Sequence, residues 1–200
     1  PVDMLSLSGH KIHAPKGVAA LYIRRGTKVR PLLVGGHQEK GRRGGTENIP
    51  SIVGFGKACE LAAEHLTEYS GRVKAMRDKL QDRLLKTIPD ASVNGGKSPR
   101  IPNTLSIRFE YVEGESILLL LDRDGIAASS GSACTSGSLE PSHVLRAMGI
   151  PYTSVHGSIR LSLSRFNNNE DIDYILEKFP PIISKLREIS PFVQTAPTPL

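Results

Sequence analysis

Four short windows of the 200-residue sequence carry residue types that can do covalent or ionic chemistry. The first is Ser8-Gly9-His10-Lys11, which follows an apolar run and precedes Pro15-Lys16-Gly17. A lysine held at the end of a buried strand is poorly hydrated, so its amine loses a proton more easily and can act as a nucleophile. The Ser8 hydroxyl and the His10 imidazole flank it, and both can hydrogen-bond a phosphate. That combination suits a Schiff-base lysine beside an anionic cofactor. Read alone, the window favours a plain surface-turn lysine.

The second window is Gly131-Ser132-Ala133-Cys134-Thr135-Ser136-Gly137. A structural cysteine sits among apolar neighbours. Cys134 sits among serines and glycines, so an exposed, mobile thiol is expected, one that suits a travelling nucleophile better than a rigid triad. Cys59 lies on a helical stripe and is expected to be an inert core thiol. Neither has a cysteine or histidine partner at zinc-finger spacing. Third comes Arg160, flanked on its strand by Ile159 and Leu161. If those two face one side, Arg160 faces the other, where a guanidinium can clamp a carboxylate through two hydrogen bonds. Arg165 could do the same from nearer the strand end. Last is Gly44-Gly45-Thr46, whose backbone N–H groups and hydroxyl could cradle a phosphate. Spacing alone favours an ordinary strand arginine and a plain glycine loop for these two.

The elements that must position these residues follow from periodicity. Met4–Ser8 and Val18–Ile23 read as strands around a turn-rich segment. Ile52, Phe55, Cys59, Ala62, Leu66, Tyr69, Val73, Met76, Leu80 and Leu84 recur every three or four residues. They predict one long helix, bent or divided at Gly71, bridging two domains across residues 51–88. Beyond it an α+β domain is expected over 89–190. It should hold a strand over Asn103–Phe109, a helix over Gly114–Asp124 closed by Gly125, and a polar loop over Ser129–Ser138. A helix over Pro141–Met148 and a strand around Ile159–Leu163 should follow. The last helix should start near Asn169 and be interrupted at Pro180-Pro181. Residues 191–200 should fray.

Composition narrows the function classes. Lysines and arginines number 26 against 20 acids, for a net charge of +6, which suits anionic ligands or acidic partners. The basic residues from Arg24 to Arg43 have few aromatic neighbours and the chain has no Trp, so a solvated face is favoured over a nucleic-acid surface. No apolar run is long enough for a membrane helix. Two cysteines cannot build a disulfide framework, so a reducing, cytoplasmic setting is expected. The sequence opens on Pro1 and not on Met, and the expectation is that it begins inside a larger gene product.

Taken together and in order, these windows resemble the cysteine desulfurases, nearest to the NifS type associated with nitrogen fixation. SLSGHKIHAPKGVAALYIRRG resembles their cofactor-lysine segment and GGHQEKGRRGGTEN their glycine-rich segment. SSGSACTSGSLEPSHVLRAMGI resembles their catalytic-cysteine loop and HGSIRLSLSRF their substrate-arginine strand. The resemblance runs from residue 1 to about 190. It implies the α/β fold of the type I pyridoxal-phosphate enzymes, with residues 1–50 as the end of the large cofactor domain and 89–190 as the small C-terminal domain. It implies Lys11 as the Schiff-base lysine, Ser8 and His10 on the cofactor phosphate, and Thr46 on the phosphate of the other subunit of a homodimer. Arg160 would take the carboxylate of L-cysteine. Cys134 would attack its sulfur, become a persulfide and release L-alanine. The sulfur would pass to an iron–sulfur scaffold or another acceptor, with Cys134 touching iron–sulfur only transiently.

Two departures accompany the resemblance. Ala14 stands where the family has glycine, which is tolerable if its φ is negative. The family's ring-stacking histidine, the aspartate on the pyridine nitrogen and the first phosphate loop all fall upstream of residue 1. The 200 residues alone are therefore expected to be inactive. Alternatives are a selenocysteine lyase or another type I pyridoxal-phosphate enzyme, and a non-catalytic interaction module.

Overall fold

The computed structural model describes residues 2–131 and 142–191, so Cys134 lies outside the described residues. The chain divides into two compact units, residues 1–66 and 67–200.

In the first unit, β1 (Met4–Ser8) pairs antiparallel with β2 (Ala19–Ile23), from Met4 opposite Ile23 to Ser8 opposite Ala19. Gly9 makes the join possible. Its N–H donates to the Val18 carbonyl at 3.0 Å, and a Cβ there would lie 2.8 Å from that oxygen. The first unit also holds the short turn α1 (Gln38–Gly41) and α2 (Ile49–Glu64), whose first turn Asn48 caps by accepting from the Ser51 N–H at 3.3 Å. All five residues of β1 are exposed. Among the described residues, Ala14 and Ala58 are the only hydrophobic side chains buried in this unit. The buried strand expected beneath Lys11 is therefore corrected: the apolar residues form the strand, but none of the described residues buries them.

After α2 come a single turn, α3 (Leu66–Glu68), and a π-helical turn over Tyr69–Val73 that contains Gly71. The stripe expected to bury one long helix is buried only from Val73 onward, because only α4 (Lys74–Thr87) has a core to face. Cys59 is exposed, which corrects the inert-core expectation.

The second unit is a three-stranded antiparallel sheet in the order β3 (Ala91–Val93), β4 (Thr104–Phe109), β5 (Ser158–Ser162). Leu105, Ile107 and Phe109 of β4 and Ile159 and Leu161 of β5 point into one core. That core is shared with α4, α5 (Gly114–Arg123) and α8 (Asn169–Glu188). Phe109 and Phe179 stack at 5.1 Å between ring centroids, and each such buried side chain contributes roughly 1.5–3 kcal/mol. Short helices α6 (His143–Ala147) and α7 (Tyr152–Val155) lie between. Gly125 and Gly149, with φ of 73° and 75°, follow α5 and α6.

α8 opens with a capping box: the Asp171 N–H donates to Asn168 Oδ1 at 2.8 Å and the Asn168 N–H to Asp171 Oδ2 at 3.1 Å. It then runs unbroken through Pro180 and Pro181, against expectation. A proline removes a hydrogen bond and crowds the carbonyl four residues back. Here Ile172, Phe179, Ile182 and Ile183 are buried on both sides of the pair, and their burial outweighs that cost.

Candidate functional site

Ser8, His10 and Lys11 are held by the end of β1 and a 3-10 turn over Gly9–Ile12. The turn closes when the Ala14 N–H donates to the Gly9 carbonyl at 3.0 Å. His13 takes a left-handed φ of 67° and Ala14 does not have a positive φ, so alanine is unstrained there. Ser8, His10 and Lys11 are exposed. Among the described residues none of their side chains makes a hydrogen bond or ion pair, so a hydroxyl, an imidazole and a primary amine lie within four residues with no internal partner. A cofactor that carries an aldehyde and a phosphate fits that donor set: the amine can condense with the one, and the other two groups can hydrogen-bond the other.

The glycine segment is built differently from its sequence expectation. The Gly44 N–H donates to the Leu33 carbonyl at 2.8 Å, so it is not available to a phosphate. A Cβ on Gly44 would lie 3.2 Å from the Gly35 Cα, which explains the paired glycines as a close crossing of two backbones. Arg43 Nη1 donates to the Gly45 carbonyl at 2.6 Å and pins the turn. Gly45, with φ 99°, then presents Thr46, whose side chain is exposed. No hydrogen bond joins Thr46 to Ser8, His10 or Lys11 among the described residues.

In the second unit, Arg160 sits at the middle of β5, its side chain on the face opposite the core residues Ile159 and Leu161. Its N–H and carbonyl both bond the backbone of Ser129. Among the described residues its guanidinium has no hydrogen bond or ion pair. Arg165 is less suited to a ligand. Its guanidinium lies over the Phe166 ring at 4.8 Å, and its Nε is buried without a partner.

Sequence reasoning missed the polar groups beside Arg160. Asn94, 6% exposed, donates through Nδ2 to Ser106 Oγ at 3.1 Å and Ser158 Oγ at 3.2 Å. Arg108 Nη1 donates to Asn94 Oδ1 at 3.0 Å. Glu110 stands 3.5 Å from Arg108 Nε and accepts from Ser154 Oγ at 2.9 Å. The alternation of Thr104, Ser106 and Arg108 with apolar residues was a visible signal for this face.

No group of three or more His, Cys, Asp or Glu among the described residues could hold a metal ion. Nor, among them, is any helix long and apolar enough to cross a membrane.

Comparison with known proteins gives a consistent picture. The class-V aminotransferase family model matches residues 1–175. A cysteine desulfurase of Gluconacetobacter diazotrophicus is 62% identical over 191 residues, covering 96% of this chain and 48% of that protein. The cysteine desulfurase NifS of Azotobacter vinelandii is 59% identical over 191 residues, with the same coverage. Among solved structures, a NifS-like protein superposes with a TM-score of 0.83 at 40% identity, over 92% of this chain and 47% of that one. The chain thus spans about half the length of the curated relatives it matches.

Proposed function

The chain belongs to the class-V aminotransferase family, with the α/β fold of the type I pyridoxal-phosphate enzymes, and from that premise we propose that the complete protein is a cysteine desulfurase. The observation that carries this reading is the 62% identity, over 96% of the chain, to a cysteine desulfurase. The reaction takes L-cysteine, breaks its carbon–sulfur bond, and leaves L-alanine and a persulfide on Cys134. Atoms balance when the substrate sulfur passes to the Cys134 thiolate and a proton takes its place on the β-carbon.

Pyridoxal phosphate, when bound, supplies an electron sink for charge that develops at the substrate α-carbon. Lys11 would hold it through the ε-amine. With its amine free, Lys11 would serve as the base at the substrate α-carbon and as the acid that returns a proton. Ser8 and His10 would hold its phosphate, and Thr46 would hold the phosphate of the other subunit's cofactor in a homodimer. Arg160 orients the substrate carboxylate, which its unpartnered fork can bind through two hydrogen bonds. Cys134 attacks as a thiolate, and its serine–glycine surroundings let it carry sulfur onward. The acceptor would be a cytoplasmic iron–sulfur scaffold or another sulfur-acceptor protein, and the likeness to a protein named NifS favours a nitrogen-fixation role.

The test is L-alanine release from L-cysteine by the complete, cofactor-loaded protein. Stoichiometric sulfur and alanine are expected; alanine without sulfur transfer would make it a different member of the family.

A further inference from the structure

Among the described residues the Arg160 guanidinium has no partner, although two hydroxyls lie on the same face of the sheet. The reason is in the register. Ser106 stands directly opposite Arg160 across β4 and β5. The Arg160 N–H and carbonyl both point the other way, to Ser129. Ser106 and Arg160 are therefore a non-hydrogen-bonded pair, the kind whose Cα atoms approach to about 4.5 Å with side chains closest. Ser158 is two residues before Arg160 on the same strand and the same face. Both hydroxyls could accept from a guanidinium, and each already gives one of its two acceptor positions to Asn94.

The orientation of the Asn94 amide is fixed by its third bond. Arg108 can only donate, so the Asn94 oxygen must face Arg108 and its NH2 must face the serines. The same oxygen holds Arg108, a second cation on the face that carries Arg160, in a bond of its own. Arg108 is also near Glu110.

We infer that Asn94 is a positioning residue for Arg160: by engaging the hydroxyls of Ser106 and Ser158 and anchoring Arg108, it keeps the Arg160 guanidinium free for a substrate carboxylate. The inference rests on the reading of Arg160 as the carboxylate-binding residue. Without Asn94, both acceptor positions of the Ser106 and Ser158 hydroxyls are open to Arg160, which strengthens their pull on the fork. The fork is then drawn onto the sheet and must be released before it can bind substrate.

The experiment uses the complete, cofactor-loaded protein and compares Asn94→Ala, Asn94→Asp, Arg160→Lys and the Asn94→Ala/Arg160→Lys double variant. Asn94→Ala should raise KM for L-cysteine about threefold to tenfold, the worth of one or two competing hydrogen bonds, with kcat within about twofold. Binding of L-alanine, followed by calorimetry, should weaken by the same factor. Asn94→Asp keeps the side-chain shape, and rotated serine hydroxyls can donate to it, so it tests the idea even if Asn94→Ala folds poorly. Its carboxylate should compete for Arg160 and raise KM further. The double variant should be no worse than Arg160→Lys alone, because Asn94 acts through the lost fork. If Arg160→Lys raises KM while both Asn94 variants leave it unchanged, or if the effects add, the positioning role is wrong. If Arg160→Lys itself leaves KM and L-alanine binding unchanged, it is the carboxylate assignment that fails.

Discussion

Ser129 and Arg160 exchange both of their backbone hydrogen bonds. The Arg160 N–H donates to Ser129 at 2.6 Å and the Ser129 N–H donates to Arg160 at 3.2 Å, an isolated antiparallel bridge on the outer edge of β5. Ser129 Oγ also donates to the Gly131 carbonyl at 2.7 Å, which turns the chain directly after the bridge. Cys134 follows Ser129 by five residues, a length that reaches at most about 18 Å. The segment that carries the candidate nucleophile is thus tied by its stem to the strand of the candidate carboxylate arginine.

Arg160→Lys should weaken L-cysteine binding by about tenfold or more, since an ammonium cannot reproduce a two-bonded guanidinium fork. Cofactor absorbance should be retained. A substrate titration run beside the spectrum separates the outcomes: loss of the cofactor band with an unchanged KM in the remaining holoenzyme would mark Arg160 as a cofactor or structural residue.

Lys11→Ala should abolish alanine release by the complete protein. Lys11 is exposed and makes no internal bond among the described residues, so its removal should change stability by less than about 0.5 kcal/mol. Alanine assay and thermal melting on the same sample check both halves. Near-normal turnover would remove Lys11 from the mechanism.

Cys59 makes a prediction opposite to the one its helical stripe suggested. It is exposed in this chain, so Cys59→Ala leaves no core cavity and should shift stability by no more than about 0.5 kcal/mol. In the isolated 200-residue chain it should react with a thiol reagent before denaturant is added. A slow reaction that accelerates only on unfolding would contradict the exposure.

Asp78 gives a pH dependence. Partial burial pushes its carboxyl up, but the Lys74 ammonium at 2.7 Å and the Arg77 guanidinium at 2.7 Å outweigh it and hold the pKa below the usual 3.8. A carboxyl whose folded pKa is lowered stabilises the fold above its unfolded value and loses that contribution as pH falls through the folded one. Asp78→Asn should therefore melt lower than the parent chain at pH 7. The gap should close as pH falls below about 4. Parallel melting curves at pH 7 and pH 3 measure it; a constant gap would show that charge is not the cause.

Strands β1, β2, β4 and β5 and the two glycine helix stops were legible because each rests on local pattern, whereas the three-residue β3 is too short to carry one. Met4–Ser8 and Thr104–Phe109 alternate or cluster as strands do, and Gly125 and Gly149 adopt the left-handed φ that ends a helix. What escaped was long-range. Asn94, Ser106 and Ser158 lie up to 64 residues apart, and only strand register brings them together. Cys59 was misplaced because periodicity reveals which residues share a face, not whether anything covers it. Pro180-Pro181 read as a break because the local cost of proline is visible in sequence, while the packing of Phe179, Ile182 and Ile183 that outweighs it is not.

The central claim is that Cys134 receives the sulfur, and mass spectrometry of the complete, cofactor-loaded protein after L-cysteine treatment without reductant tests it most directly. One added sulfur, about 32 Da, should map to the peptide containing Cys134 and vanish on reduction or in Cys134→Ala, with Cys59 unmodified. Added sulfur on Cys59, or on neither thiol while alanine is still produced, would contradict the account.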